Sequence, residues 1–192
     1  MDLILIRHAR AFDRDSAAWP DDSRRPLTAQ GREEFRTLAK RLGRAVRDVD
    51  LLESSGYVRA WQTAQILAEE TPWPKPSRLE RLEAGEGSAD AHIEALVRAL
   101  DGMRGIGTVA WVGHEPMLSR LASRLLAGST EAMRVDFKKG AAMALRVSPC
   151  VAACVAAGVA AGVASGVAPD ARAELLWMVT PRVVARMRRS GK

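Results

Sequence analysis

Apolar and polar residues alternate along this chain on two different periods, and the switches between them lay out a fold. Leu3-Ile4-Leu5-Ile6 is an unbroken run of branched side chains, as a strand covered on both faces requires. Residues 9–26 are polar, with Asp, Ser and Pro, and predict a loop. Thr28 stands where a helix N-cap belongs; Phe35, Leu38, Ala39 and Leu42 follow at helical spacing, and Gly43 falls near the expected end. A second strand is expected from Val49 to Leu52. A second helix follows from Val58 to Glu69, with Trp61, Ala64, Leu67 and Ala68 on one side and Pro72, Pro74 and Pro76 beyond its end. A third helix spans Asp90 to Met103, striped by Ile93, Leu96, Val97 and Leu100. Val109 to Val112 is another buried strand, and Leu118, Leu121, Ala122 and Leu125 mark the helix behind it. Strands alternating with helices at this spacing predict an α/β fold, a three-layer α/β/α sandwich around a mostly parallel sheet.

The last third of the chain has a different texture. Ala142 to Val147 and Ala173 to Val179 read as strands, followed by Pro181 and a basic helix. Between them, residues 148–169 are almost entirely Ala, Val and Gly without a charge. They form an insertion between the last two strands of a single domain covering residues 1–192. The stretch is nearly long enough to cross a bilayer. It contains no Leu, Ile or Phe, however, and a crossing would strand two neighbouring strands on opposite sides. No membrane span is expected. An extended hairpin or a poorly ordered insertion is the expectation, with a self-association surface as the alternative.

Composition narrows the class further. A chain of 192 residues, 47% apolar and 27% charged, suits one globular domain with a substantial core. Its net charge of +6 suits an anionic partner, and equally suits mere solubility. The basic residues are dispersed and accompany no recognition motif, so nucleic acid is not expected. Cys150 and Cys154 are too few and too close for a disulfide framework. With no leader-like segment before Arg7, a reducing, cytoplasmic setting is the expectation.

Candidate chemistry concentrates at two corners. His8, in Arg7-His8-Ala9, follows the first strand, and His114, in Val112-Gly113-His114-Glu115-Pro116, follows a later one. In α/β sheets ligands gather where the strands' carboxyl ends meet loops. His8 and His114 share that edge, as do Ser54 and Ser55. A neutral imidazole can attack phosphorus, and a guanidinium holds phosphoryl oxygens in a planar fork. His8 is therefore the candidate nucleophile, one ring nitrogen attacking while the other donates to a nearby acceptor. Arg7 stands beside it and can share its pocket if the chain turns there. Arg59 opens the second helix, where free N–H groups and the helix dipole favour an anion. His114 would hydrogen-bond a phosphoryl oxygen as charge builds in the transition state. Each feature has a plainer reading as a surface or structural group, but all fall on one edge of the sheet. His92, Trp61 and Trp111 read as structural, Trp19 as a residue that could flank the pocket, and Arg182, Arg186, Arg188, Arg189 and Lys192 as a solvated helix end.

These corners, with Arg25-Pro26-Leu27-Thr28-Ala29-Gln30-Gly31, Ser54-Ser55-Gly56-Tyr57-Val58-Arg59-Ala60-Trp61-Gln62-Thr63 and Trp177-Met178-Val179-Thr180-Pro181-Arg182, run in one order from residue 1 to beyond 180. In that order the chain resembles the histidine phosphatase superfamily, with the phosphoglycerate-mutase-like fold, and most of all the short bacterial phosphohistidine phosphatases of the SixA type. The resemblance implies that His8 is transiently phosphorylated, that Arg7 and Arg59 bind phosphate, and that His114 completes the pocket. It also implies metal independence and no cofactor. Larger members that cleave esters carry a carboxylate acid after the third strand region; Glu83 lies near that place, with Glu86 as rival and a solvated loop carboxylate as the plain alternative. Two positions depart from the family pattern: Ala9 replaces the usual glycine, and Gly56 stands where proline is common. A positive φ at residue 9 would strain Ala9.

The resulting expectation is a phosphatase that removes phosphate from a phosphohistidine-bearing protein, such as a phosphotransfer domain or a phosphotransferase-system protein. Two alternatives stay open: a small-molecule phosphomonoesterase with Glu83 as acid, and a non-catalytic phosphate-binding protein.

Overall fold

A computed structural model describes residues 1–83, 89–103, 105–148 and 172–187. Six strands form one sheet: β1 (Asp2–Arg7), β2 (Leu51–Ser54), β3 (Ser77–Arg78), β4 (Thr108–Gly113), β5 (Ala142–Val147) and β6 (Ala173–Val179). The helices are α1 (Ala29–Ala45), α2 (Val58–Glu70), α3 (Ala89–Gly102), α4 (Met117–Ala127) and α5 (Pro181–Met187). Strand order is β3-β2-β4-β1-β5-β6. The pairings β1–β4, β2–β3 and β2–β4 are parallel, whereas β1–β5 and β5–β6 are antiparallel. The sheet is thus mixed, parallel on one side of β1 and antiparallel on the other.

The apolar run of β1 is explained by cover on both faces. Ile4 and Ile6 join a core with Phe35, Leu38 and Leu42 of α1, Ala60, Ala64 and Leu67 of α2, and Val184 of α5. Leu3 and Leu5 join the opposite core, with Ile93 and Leu96 of α3 and Leu118, Leu121 and Leu125 of α4. Successive side chains of a strand point to opposite faces, so only a continuous apolar run can feed both layers.

Several boundaries differ from the sequence reading. Helix α1 runs through Gly43 to Ala45, and Thr28 caps its start, accepting from the Gly31 N–H at 2.9 Å. The second strand lies two residues later than expected, because pairing with β4 begins at Leu51 opposite Val109. Strand β3 has no apolar run and escaped the pattern altogether. The loop over 9–26 holds a short 3-10 turn at Asp22–Arg24 and an isolated bridge between Ala11 and Leu27. Trp111 is fully buried, but Trp61 is only half-buried. No helix among the described residues is long and apolar enough to cross a membrane. Apart from Ser148, the Ala/Val/Gly insertion lies outside the described residues, as do Cys150, Cys154, Glu86, Arg188, Arg189 and Lys192.

Candidate active site

The parallel register brings the two histidine corners together. Arg7 of β1 sits opposite Gly113 of β4, so the next residues, His8 and His114, leave adjacent strands at one level. Their ring centroids are 5.2 Å apart. The His8 N–H donates to Gly113 O at 3.1 Å, the Ser55 N–H to Val112 O at 3.0 Å, and the Gly140 N–H to His8 O at 3.0 Å. Three strand ends are thereby fixed around one point.

Helix α2 braces this edge. The Ala9 N–H donates to Thr63 Oγ1 at 3.0 Å, and that hydroxyl donates to Arg59 O at 2.7 Å. Gln62 Oε1 accepts from the Leu27 N–H at 2.9 Å. Ala9 itself is buried and unstrained, since no residue other than glycine among those described has a positive φ. The condition for strain at Ala9, a positive φ, is therefore not met.

Both imidazoles are held neutral. Burial, reinforced by the nearby charges of Arg59, Arg7 and Arg25, pushes the His8 pKa down to about 3, against a hydrogen bond to Ala9 O that opposes the shift. For His114, burial again leads, with His8, Arg59 and Arg7 adding to it, and the value falls to about 2. The His8 tautomer follows from its partner. His8 Nδ1–H donates to Ala9 O at 2.7 Å, which leaves the Nε2 lone pair available. Ser55 Oγ accepts from the Tyr57 N–H at 3.2 Å and lies 2.8 Å from His114 Nε2.

Arg7, Arg59 and Arg25 supply the charge. Arg7 Nη1 donates to Phe137 O at 2.6 Å. Arg59 Nη2 pairs with Asp22 Oδ2 at 3.1 Å, Nη1 donates to Asp22 O at 2.7 Å, and the guanidinium lies 5.0 Å over the Tyr57 ring. The Tyr57 ring is in turn 5.0 Å from that of His114. Arg25 Nε donates to Asp22 Oδ1 at 2.8 Å. Among the described residues, buried side-chain nitrogens without a protein partner include Nε of Arg7, Nε of Arg59 and Nδ1 of His114. Buried polar atoms are normally paired, so three unpaired ones on residues that line one cleft mark it as a candidate site for a polar ligand.

The cleft encloses about 650 Å³ and is lined by Arg7, His8, Arg59 and His114 together with Phe12, Arg25, Tyr57 and Glu115, among others. Glu83 is not among its lining residues. Its Oε1 accepts from the Gly56 N–H at 3.1 Å and from Arg78 Nε at 2.7 Å. A Cβ on Gly56 would come within 2.5 Å of Arg78 Nε and 2.6 Å of Glu83 Oε1, and proline would also lack the N–H. The departure at Gly56 and the position of Glu83 are thus one local arrangement.

Sequence reasoning missed Asp22, Arg25, Phe12 and Glu115 as cleft residues. Only Arg25 and Glu115 carried a signal, each standing inside a motif already quoted. Burial raises the Glu115 carboxyl above its ordinary value, opposed by the hydrogen bond from Ser119 and by the Arg7 charge. Trp19 packs on Phe12, with ring centroids 6.0 Å apart, and His92 bonds to Arg81 O. Among the described residues, no group of three or more His, Cys, Asp or Glu is placed to hold a metal ion.

Fold and cleft together define a phosphate-handling α/β domain with paired histidines at its sheet edge. The family model described as "Histidine phosphatase superfamily (branch 1)" matches residues 3–86. An uncharacterized protein of Picosynechococcus sp. is 33% identical over 149 residues, which covers 76% of this chain and 85% of that protein. The phosphohistidine phosphatase SixA of Escherichia coli is 28% identical over 136 residues, covering 69% of this chain and 79% of its own length. The solved structure of the protein histidine phosphatase SixA complexed with tungstate superposes with a TM-score of 0.69 at 22% identity, covering 96% of this chain and 99% of that one. The chain belongs to the histidine phosphatase superfamily, a superfamily of phosphatases.

Proposed function

We propose that this protein is a metal-independent, cytoplasmic phosphohistidine phosphatase that acts through a phosphorylated His8. One observation carries the reading: two neutral imidazoles stand with ring centroids 5.2 Å apart at the carboxyl ends of adjacent parallel strands, flanked by Arg7 and Arg59. The partner is a phosphohistidine-bearing protein, such as a phosphotransfer domain or a phosphotransferase-system protein. The likeness to SixA supports this choice of substrate.

The chemistry balances without a carboxylate acid. The substrate ring enters protonated on its distal nitrogen. His8 Nε2 attacks phosphorus, the P–N bond to the substrate breaks, and the ring departs as neutral imidazole. His8, still bearing its Nδ1 proton, becomes the phosphorylated imidazolium. One imidazolium is exchanged for another, so no proton moves in this step. Water then attacks phosphorus, the P–Nε2 bond breaks, both protons of the water stay with the released phosphate, and His8 returns to its starting tautomer. Arg7, Arg59 and His114 hold the equatorial oxygens, where charge is spread in the transition state.

Rapid quench with a phosphotransfer domain carrying radioactive phosphate on histidine tests the reading. Acid-labile label should appear on the wild type and be missing from His8→Ala, and chelator should leave turnover unchanged. Label retained by His8→Ala, or faster turnover of sugar phosphates and nucleotides than of phosphohistidine, would overturn it.

A further inference from the structure

We infer that Phe12 is a platform for the leaving group, so that the cleft selects a phosphoryl group bonded directly to a planar ring. The inference deepens the phosphatase reading by naming what the departing group looks like. All nine aromatic residues of the chain are described, and Phe12 alone among them is exposed, at 47%. Large apolar side chains also stand exposed at Leu175, Leu176, Met178 and Val183, but none of those lines the cleft that holds His8, His114, Arg7 and Arg59. A lone exposed apolar residue needs no explanation, whereas an exposed ring lining a charged cleft offers a face to whatever enters.

The ring is also held in place. The Phe12 N–H donates to Pro26 O at 3.2 Å, and Phe12 O accepts from Arg25 Nη1 at 2.5 Å. Arg25 is tied through Asp22 to Arg59, so the backbone that carries the ring is coupled to a phosphate fork. Trp19 packs against the same ring at 6.0 Å with an interplanar angle of 37°. A pinned ring beside a phosphoryl site gains from offset stacking with a planar partner, and an alkyl group lacks that gain. The imidazole of phosphohistidine fits this demand, as does an aryl ring on oxygen.

Phosphonates test the platform apart from catalysis, because their P–C bond is not cleaved. Calorimetric binding of phenylphosphonate and methylphosphonate should favour the phenyl compound by roughly fivefold to tenfold in the wild type. Phe12→Ala should bring that ratio to about one, and Phe12→Trp should keep it. No ring preference in the wild type, or a preference that survives Phe12→Ala, overturns the inference. Turnover arms then separate the sources. A loss in Phe12→Ala on phosphohistidine but not on phosphoramidate, which has a P–N bond and no ring, identifies imidazole as the natural ring. A ring preference in binding without phosphohistidine turnover leaves the platform standing for aryl phosphates and removes the proposed substrate instead.

Discussion

His8 and His114 have ring centroids 5.2 Å apart with their planes tilted by 53°, and both are buried, the His8 Nδ1–H bonded to Ala9 O and His114 Nε2 set 2.8 Å from Ser55 Oγ. In the proposed reaction the nucleophile stands on one strand end and the group that meets the phosphoryl oxygens on its neighbour. Both rings are neutral, and at residue 8 this is what makes attack possible. An imidazolium at residue 8 has no lone pair to attack with.

That neutrality predicts a dependence of stability on pH. Both folded-state pKa values, about 3 and about 2, lie below the ordinary value of 6.5, so the unfolded chain takes up these protons first as pH falls. Stability is full above the unfolded value and declines as pH drops from there toward the folded values. The slope is at most about 1.4 kcal/mol per pH unit for each histidine. Urea unfolding between neutral pH and pH 4 should show this loss, and the double variant His8→Gln, His114→Gln should show a flatter profile. An equally steep profile in the double variant would mean that carboxylates, not these rings, govern the acid limb.

Asp22 predicts a second behaviour, linked to ligand. Its carboxyl is held below the ordinary value chiefly by the hydrogen bond from Arg25, against the effect of burial, with Arg59 adding to the stabilisation. It is the counter-charge of a guanidinium whose side chain is only 6% exposed. Asp22→Ala leaves that charge unpaired and should cost about 1–3 kcal/mol, less than a fully buried pair because Asp22 is partly solvated. An oxyanion in the cleft offers the missing negative charge, so the melting temperature of the variant should rise more steeply with added inorganic phosphate than that of the wild type. Parallel phosphate titrations would show that Asp22 and the anion do not share Arg59.

How much of this was legible in the chain depended on how far each residue's role reached. His8 and His114 could be paired from sequence because each ends a buried apolar run, and parallel strands align their carboxyl ends. Arg59 could be placed because a helix start is locally encoded. Asp22 could not, since four aspartates crowd residues 13–22 and nothing local says which of them meets Arg59. The tertiary bridge between Ala11 and Leu27 makes that choice by folding the loop back. Strand β3 was invisible because two exposed residues, Ser77 and Arg78, become a strand only through pairing with Glu53 and Ser54. Glu83 read as either a candidate acid or a solvated loop carboxylate because its partners, Gly56 and Arg78, reach it only in three dimensions.

Gly31 gives a prediction about folding. A Cβ at that position would lie 2.1 Å from Arg10 O and 2.9 Å from Arg10 C, both backbone atoms that are themselves fixed by the Thr28 N–H donating to Arg10 O at 3.0 Å. Neither side can yield cheaply. Gly31→Ala should destabilise the protein by about 3 kcal/mol or more, although alanine is the better helix former by nearly 1 kcal/mol. Denaturant midpoints would measure it, and a neutral or stabilising effect would contradict the close approach of α1 to the loop after His8.

Glu83 supplies the sharpest contrast between a structural carboxylate and an acid. It joins the turn after β3 to the Gly56 N–H at the mouth of α2, and through that to the helix that carries Arg59. Glu83→Gln keeps an acceptor for the amide but gives up the charge that meets Arg78, an exposed pair worth at most about 1 kcal/mol. Glu83→Ala also leaves the Gly56 amide without its partner and should cost about 1–2 kcal/mol. Turnover of phosphohistidine and of phosphate esters should then fall together and by no more than about threefold in Glu83→Gln, since general acids contribute about a hundredfold or more. A hundredfold loss confined to esters in Glu83→Gln would instead make Glu83 a proton donor for poor leaving groups, and the carboxylate would have to leave Arg78 to reach the cleft.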